Sequence, residues 1–221
     1  MITIAQTIEK VIAGNPTYGE ALREGIVNFS ALARKMMPAI EEILLEDVTE
    51  GAVVMALRRH AADLAGKYPK ETVYPIKNIT VRSEIAELAF VSTPELNKIH
   101  QKLLLIAEKM DNPFIAYGQG TGESTFDLSV ALLPHLEQLT KGQKRIAKFM
   151  NLSVISIRMP LDTVTLPGVY YPFVKAFAWS GINVYQIISY FTEVNFIVDD
   201  KDIERAFTLM KTLAKRAEVR R

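Results

Sequence analysis

Hydrophobic residues recur at helical spacing over the first third of the chain. Ile4, Ile8 and Ile12 fall on one face of a helix, because they lie four positions apart. A short helix is expected around Gly19–Gly25, and further apolar stripes follow at 32–44 and 53–64. Pro38 lies inside the first of these two stripes as an expected kink or break. Residues 67–75 contain two prolines and little periodicity, so we expect a helical domain over residues 1–75.

Alternating apolar and polar positions after residue 75 predict strands. The pattern is typical of strands at 79–91 (one or two), 114–117 and from 125 onward, with helices that begin at Pro94 and Pro134. A second set follows, with strands near 152–158, 184–190 and 193–198 and helices near 168–180 and 202–214. Both sets have the order strand, helix, strand, strand, helix, which indicates an internal repeat.

The repeat predicts an α+β protein with one or two ferredoxin-like βαββα units, with antiparallel sheets, behind the helical domain. We place the first, degenerate unit at 76–150 and the second at 151–221. Residues 144–150 are apolar enough to close the first sheet, whereas Lys215–Arg221 is too short and polar to close the second. The source of that closing strand is open. Unpaired sheet edges favour pairing with another strand, so we expect a homo-oligomer.

Composition and charge restrict the function further. The formal net charge of +1 provides no strong field for gathering nucleic acid or an anionic membrane. The absence of cysteine excludes disulfides and thiolate chemistry, and fits a reducing cytoplasm. Because the first residues lack a signal peptide's apolar core and no apolar run approaches a membrane span, we expect a cytoplasmic protein without a membrane partner.

Catalytic or cofactor-binding residues do not form a recognisable set. The three histidines, His60, His100 and His135, lie in separate predicted elements without carboxylates at metal-ligand spacing. The glycine-rich run 118–122 matches neither phosphate-binding motif and suits a hairpin turn. We therefore predict a protein that is not an enzyme and has no cofactor or metal, although an enzyme with an unrecognised site is a further alternative.

Three short motifs in the second unit resemble the ACT domain, the amino-acid-sensing module of aspartokinases. They are Pro167-Gly-Val169, Gly181-Ile-Asn-Val184 and the strand-turn-helix run Asn195–Phe207, in that order, and the resemblance covers about residues 152–215. It implies a regulatory module whose effector amino acid sits where the first strand passes into the first helix. The expected function is effector sensing and signalling to an enzyme or regulator partner.

The candidate effector site is centred on the Pro167-Gly168 turn. If this turn opens a helix, the backbone N–H groups of Val169 and Tyr170 are free to bind a carboxylate, and Gly168 leaves room for it. The remaining candidates are Asp162 for an ammonium group, with Asn183 and Val184 on the facing wall. The alternative is that Pro167-Gly168 only starts a helix and Asn183 only tolerates a turn.

An amino-acid-responsive transcription regulator is the alternative function. Short helices followed by a β-hairpin within 79–91 would have the order of a winged helix-turn-helix, with Arg34, Lys35, Arg58 and Arg59 as DNA contacts. Residues 1–75 are slightly acidic overall, which opposes binding to phosphates. The helices serve oligomerisation or docking equally well.

Overall fold

The computed structural model describes residues 2–67 and 76–219. The chain forms two compact units, Met1–Thr72 and Val73–Arg221. Apart from Lys67, the predicted linker at 67–75 lies outside the described residues. Helices and an antiparallel sheet together confirm the α+β class. Within the described ranges, no helix is both long and apolar enough to span a membrane.

Four helices form the first unit: α1 (Ile4–Ala13), α2 (Pro16–Glu24), α3 (Phe29–Leu44) and α4 (Glu50–Lys67). Asn28 caps α3, because its side-chain oxygen accepts a 3.1 Å hydrogen bond from the Ala31 N–H. Helix α3 continues through Pro38, so the break expected there does not occur. The apolar stripes of these helices meet in one core around the fully buried residues Ile8, Ala33, Ile40, Val53 and Leu57.

The second unit contains the predicted repeat. Its first half comprises β1 (Asn78–Val91), α5 (Pro94–Ala107), β2 (Ile115–Gln119), β3 (Glu123–Ser129) and α6 (Leu133–Leu139). Its second half comprises β4 (Arg145–Arg158), α7 (Tyr171–Trp179), β5 (Val184–Tyr190), β6 (Glu193–Asp199) and α8 (Ile203–Val219). Both halves have the order βαββα, as the hydrophobic pattern predicted.

All six strands form one antiparallel sheet in the order β2-β3-β1-β4-β6-β5. Strands β1 and β4 lie side by side, with Ala89 opposite Ala147 and Ile79 opposite Ile157. The first part of β4 therefore closes the first half, as residues 144–150 were expected to do. The first part of β1 supplies the closing strand of the second half, whose source the sequence left open.

Bulges in the two long strands keep both halves of the repeat oriented alike. Glu84 in β1 and Asn151 in β4 each have a φ of 58°, next to shifts in the β1–β4 register. An extra residue changes the alternation of side chains. Ile79, before the bulge, and Leu88, after it, consequently both point to the face that the helices cover.

On the opposite, concave face of the sheet, no helix of the second unit packs among the described residues. A separate core of Ile85, Leu152, Val154 and Ile197 lies there, with Tyr185 of β5 packed against it. The ring of Tyr185 also contacts that of Phe149 on β4, with 5.1 Å between ring centroids. The sheet thus curls until its two outer parts approach each other.

Candidate functional site

The connection from β4 to α7 begins with a short turn that its own side chains stabilise. Pro160 follows the strand, and residues Leu161–Thr165 form a 3-10 turn. The hydroxyl of Thr163 is buried and donates a 2.6 Å hydrogen bond to the Pro160 carbonyl oxygen. This bond holds the chain away from the strand end, which leaves room beside it.

Gly168 lies in a left-handed turn before α7. Its φ of 75° is a backbone conformation that is energetically costly for a residue with a side chain. The helix itself begins at Tyr171, with Pro172 in its first turn. The expectation that Pro167 and Gly168 open the helix directly is therefore wrong: they form the turn that precedes it.

A cavity of about 270 Å³ lies between this connection and the β5–β6 hairpin. A volume slightly below the range of drug-sized pockets suits a small metabolite. Its lining combines apolar side chains with hydroxyl and backbone groups, and contains no acidic or basic residue. The lining residues are Met159, Thr163, Val164, Leu166, Gly168, Val169, Tyr170, Tyr171 and Phe191.

Polar groups at the cavity come from the backbone and from tyrosine. Within the described residues, the N–H groups of Val169 and Tyr170 have no hydrogen-bond partner. They precede the first turn of α7, where backbone donors favour an anion. The hydroxyl of Tyr170 is 2.6 Å from that of Ser189 on β5 and connects the two walls. The cavity can thus accept an anionic group beside an apolar one.

The structure brings together three of the predicted site residues, Gly168, Val169 and Tyr170. Asp162 and Pro167 are exposed on the same connection but do not line the cavity. Asn183 and Val184 lie at the far end of β5, because α7 crosses the sheet before β5 begins. At about 3.3 Å per residue, the strand separates them from the cavity by roughly 20 Å.

Phe191 occupies the wall that Asn183 was expected to form. The sequence held a usable signal, because in a βαββ unit the first strand ends beside the following hairpin. Residues between the predicted strands 184–190 and 193–198 must therefore lie near residue 159. The motif Gly181-Ile-Asn-Val184 predicted Asn183 for this wall instead, whereas the strand order favours a residue of the hairpin.

The corresponding connection in the first half is much shorter. Only Ser92 and Thr93 connect β1 to α5, and hydrogen bonds fill the space at the strand end. The hydroxyl of Ser92 is 2.6 Å from that of Ser124, and Thr93 donates to Gln143 Oε1 at 2.8 Å. The half that lacks the ACT-like motifs thus has a short, hydrogen-bonded connection at this position.

Other candidate chemistry from the sequence does not assemble into a site. The described residues contain no group of acids and histidines that could hold a metal. His100 stacks on Tyr117 at 4.7 Å between centroids, and burial lowers the pKa of its imidazole. Residues 120–122 connect β2 and β3, with the Gly120 N–H donating to the Glu123 carbonyl at 2.7 Å, which confirms the predicted hairpin turn.

The β-hairpin that the winged helix-turn-helix alternative requires is not formed by residues 78–91. Residues 78–91 form one strand of the six-stranded sheet, so the hairpin expected within 79–91 is wrong. In the helical unit, Arg34 forms a 3.0 Å ion pair with Glu50, and the Arg58 guanidinium lies over the ring of Phe29. These cations have partners within their own unit.

Known structures share the fold of the second unit. The ligand-free regulatory subunit of aspartate kinase from Thermus thermophilus matches with a TM-score of 0.50 and 15% identity, over 62% of this chain and 97% of that one. The aspartate kinase of Clostridium acetobutylicum matches with a TM-score of 0.52 and 16% identity, over 67% of this chain and 36% of that one.

The aspartate kinase of Synechocystis also has a TM-score of 0.52, at 15% identity, over 76% of this chain and 31% of that one. The chain thus spans about a third of the length of these two enzymes. No family model matches the sequence, and no curated protein matches it. At these identities the likeness is one of fold: the chain has an α+β architecture similar to that of the aspartate kinase regulatory subunit.

Proposed function

We propose that this protein is a non-catalytic regulatory module that binds an amino acid in the cavity at the start of α7 and signals to a partner. The observation that carries the proposal is the combination of free N–H groups at Val169 and Tyr170 with an uncharged lining to which Met159 and Phe191 add apolar surface. A free amino acid has a carboxylate that can accept hydrogen bonds from these N–H groups and a side chain that can pack against the apolar lining residues. The fold likeness to a regulatory subunit agrees with this role.

In the proposed complex, the effector carboxylate accepts from the Val169 and Tyr170 N–H groups, which carry partial positive charge at the helix start. The effector side chain packs against Met159 and Phe191. The proposal therefore favours an effector with an apolar side chain.

Signalling follows from the two walls of the cavity, which belong to different elements. One wall is the β4–α7 connection and the other is the hairpin that carries Phe191. A ligand that contacts both favours the arrangement in which they are close, and it shifts the population toward that arrangement. A partner enzyme or regulator that contacts either wall then senses the effector.

A thermal-shift screen of the full chain against the twenty amino acids tests the proposal. A ligand at 100 times its Kd stabilises the folded form by about 2.7 kcal/mol. Calorimetry with Phe191→Ala should then show weaker binding, because the variant removes an apolar wall. Leu105→Ala is the matched control, since Leu105 is an exposed apolar residue on α5, away from the cavity. If no amino acid raises the melting temperature, the proposal fails.

We also propose that the second unit self-associates through β5, an edge strand of the sheet. Its outward positions include Ile187, and the neighbouring Trp179 at the end of α7 is 84% exposed. An unpaired strand edge beside apolar side chains favours pairing with another copy. Light scattering should give a mass above that of a 24.8 kDa monomer. A monomer at tens of micromolar would contradict this proposal.

A further inference from the structure

Two carboxylic acids face each other on the concave side of the sheet. Glu87 on β1 and Asp127 on β3 are direct partners in the strand register. Glu87 is 7% exposed and Asp127 is 1% exposed. Like charges directly opposite each other in a sheet are destabilising, and burial increases that cost. Two ionised carboxylates are therefore a poor match for this position.

Neither acid forms an ion pair with any described residue. Glu87 Oε2 and Asp127 Oδ1 are buried without a hydrogen-bond partner in the described part of the chain. Two buried carboxyl groups that face each other can share a hydrogen bond only when one of them carries a proton. Burial, followed by the charge of Glu87 and this hydrogen bond, raises the pKa of Asp127 to about 8. Burial also raises the pKa of Glu87.

The groups around the pair supply no compensating cation. Its other register partners are Ala116 on β2 and Phe149 on β4, and neither is charged. On the far side of the concave face, Gln186 of β5 donates a 3.2 Å hydrogen bond to Thr125 of β3, two positions from Asp127. Tyr190 of β5 is close enough for Asp127 to raise its pKa, after burial, and Glu193 of β6 acts in the same direction. The nearby basic residues of β4, Arg145 and Lys148, form ion pairs with Glu137 instead.

We propose that one proton shared by Glu87 and Asp127 keeps β5 closed against β3, and that its loss releases β5. Deprotonation transfers that proton to solvent and leaves two facing carboxylates beneath Tyr190. Their repulsion acts where the outer strands approach each other. Because Phe191 follows Tyr190 and forms a wall of the cavity, release of β5 also opens the effector site. This last step, unlike the closure itself, rests on the proposed function.

Hydrogen exchange of the full chain tests the closure without any effector. We compare the amides of residues 184–193 in the wild type and in Asp127→Asn, at about pH 6 and about pH 9, on either side of the pKa of Asp127. One pH unit above a pKa, the deprotonated form exceeds the protonated one about tenfold. The wild-type amides should thus exchange several-fold faster than those of the variant at the higher pH and equally fast at the lower pH.

Glu87→Gln is the second variant, because it removes the same repulsion from the other strand. Glu123→Gln, an exposed acid at the start of β3, is the control and should behave as the wild type. Equal exchange in wild type and both pair variants at about pH 9 would overturn the proposal. If an amino acid binds, its Kd should rise with pH in the wild type and stay constant in Asp127→Asn. If no amino acid binds, the hydrogen-exchange comparison still tests the closure of β5, and only the proposed effector function is refuted.

Discussion

The side-chain amide of Gln186 donates a 3.2 Å hydrogen bond to the hydroxyl of Thr125, although β1, β4 and β6 lie between their strands in the sheet. Gln186 belongs to β5 of the second half and Thr125 to β3 of the first. The bond is therefore a direct link between the two repeats, across the concave face rather than along the sheet.

Thr125→Val should weaken this link while preserving the shape of the side chain. The variant leaves the Gln186 amide without its acceptor, and we expect a loss of about 1 kcal/mol in the free energy of unfolding, measured by urea denaturation. Thr80→Val is the control, because Thr80 is exposed on β1. Equal effects of the two substitutions would show that the Gln186 bond does not contribute.

Gly168→Val and Gly181→Val should distinguish the effect of backbone strain on folding stability from the effect of a side chain on effector binding. Both glycines have a positive φ, 75° and 65°, and a β-carbon at either meets nothing within 4 Å. Each substitution should therefore cost roughly 1–2 kcal/mol or more in folding stability. Only Gly168 lines the cavity, so calorimetry should show lost effector binding in Gly168→Val and retained binding in Gly181→Val. Retained binding in both would place the effector elsewhere.

The stability of the protein should depend on pH through Asp127. Its pKa is about 8 in the folded protein and 3.8 without the fold, so folding takes up a proton between these values. The free energy of unfolding therefore falls as pH rises through this window, by up to about 1.4 kcal/mol per pH unit, and levels off above it. Asp127→Asn should lack this contribution.

Denaturation of the wild type and Asp127→Asn from about pH 5 to about pH 9 measures that difference, with Glu123→Gln as the control. The control removes an exposed acid of the same strand, so an effect of Asp127→Asn beyond that of Glu123→Gln belongs to the buried Glu87–Asp127 pair. A constant difference between the wild type and Asp127→Asn across the range would refute the assignment of the raised pKa.

Calorimetric titration should give one effector per chain. The second half has a cavity at its strand-to-helix connection, whereas the first half closes the same position with the hydrogen bonds of Ser92 and Thr93. Sedimentation under the same conditions relates the measured ratio to the number of chains. A ratio of two per chain would require a second site in the first half.

Periodicity predicted the elements of the second unit well, because the local signals agreed with the fold. Strand β5 runs over Val184–Tyr190, as predicted, since Gly181 ends the preceding segment and apolar residues follow. The start of α7 was placed too early. Pro167-Gly168 looks like a helix start in sequence, but the positive φ of Gly168 belongs to a turn, and Pro172 occupies the first turn of the helix.

The candidate site was less predictable because it depends on which strand ends meet. Tyr170 could be selected from a motif, whereas Phe191 required the topology of the sheet. The Glu87–Asp127 pair was missed for a related reason. Each acid lies in a strand with apolar neighbours, and the register that places them opposite each other cannot be derived from either strand alone.

The exchange of closing strands between the halves has a consequence for how the unit folds. The first part of β1 leaves the ribosome early, but its partners in β4 come only after the whole first half. A chain cut near residue 150 would leave the second half without the first part of β1, so that half is not an independent folding unit. Closing such long loops before the contacts form lowers folding rates. We therefore expect slow, single-step refolding of the sheet, and fragments split at that point should aggregate through their open edges.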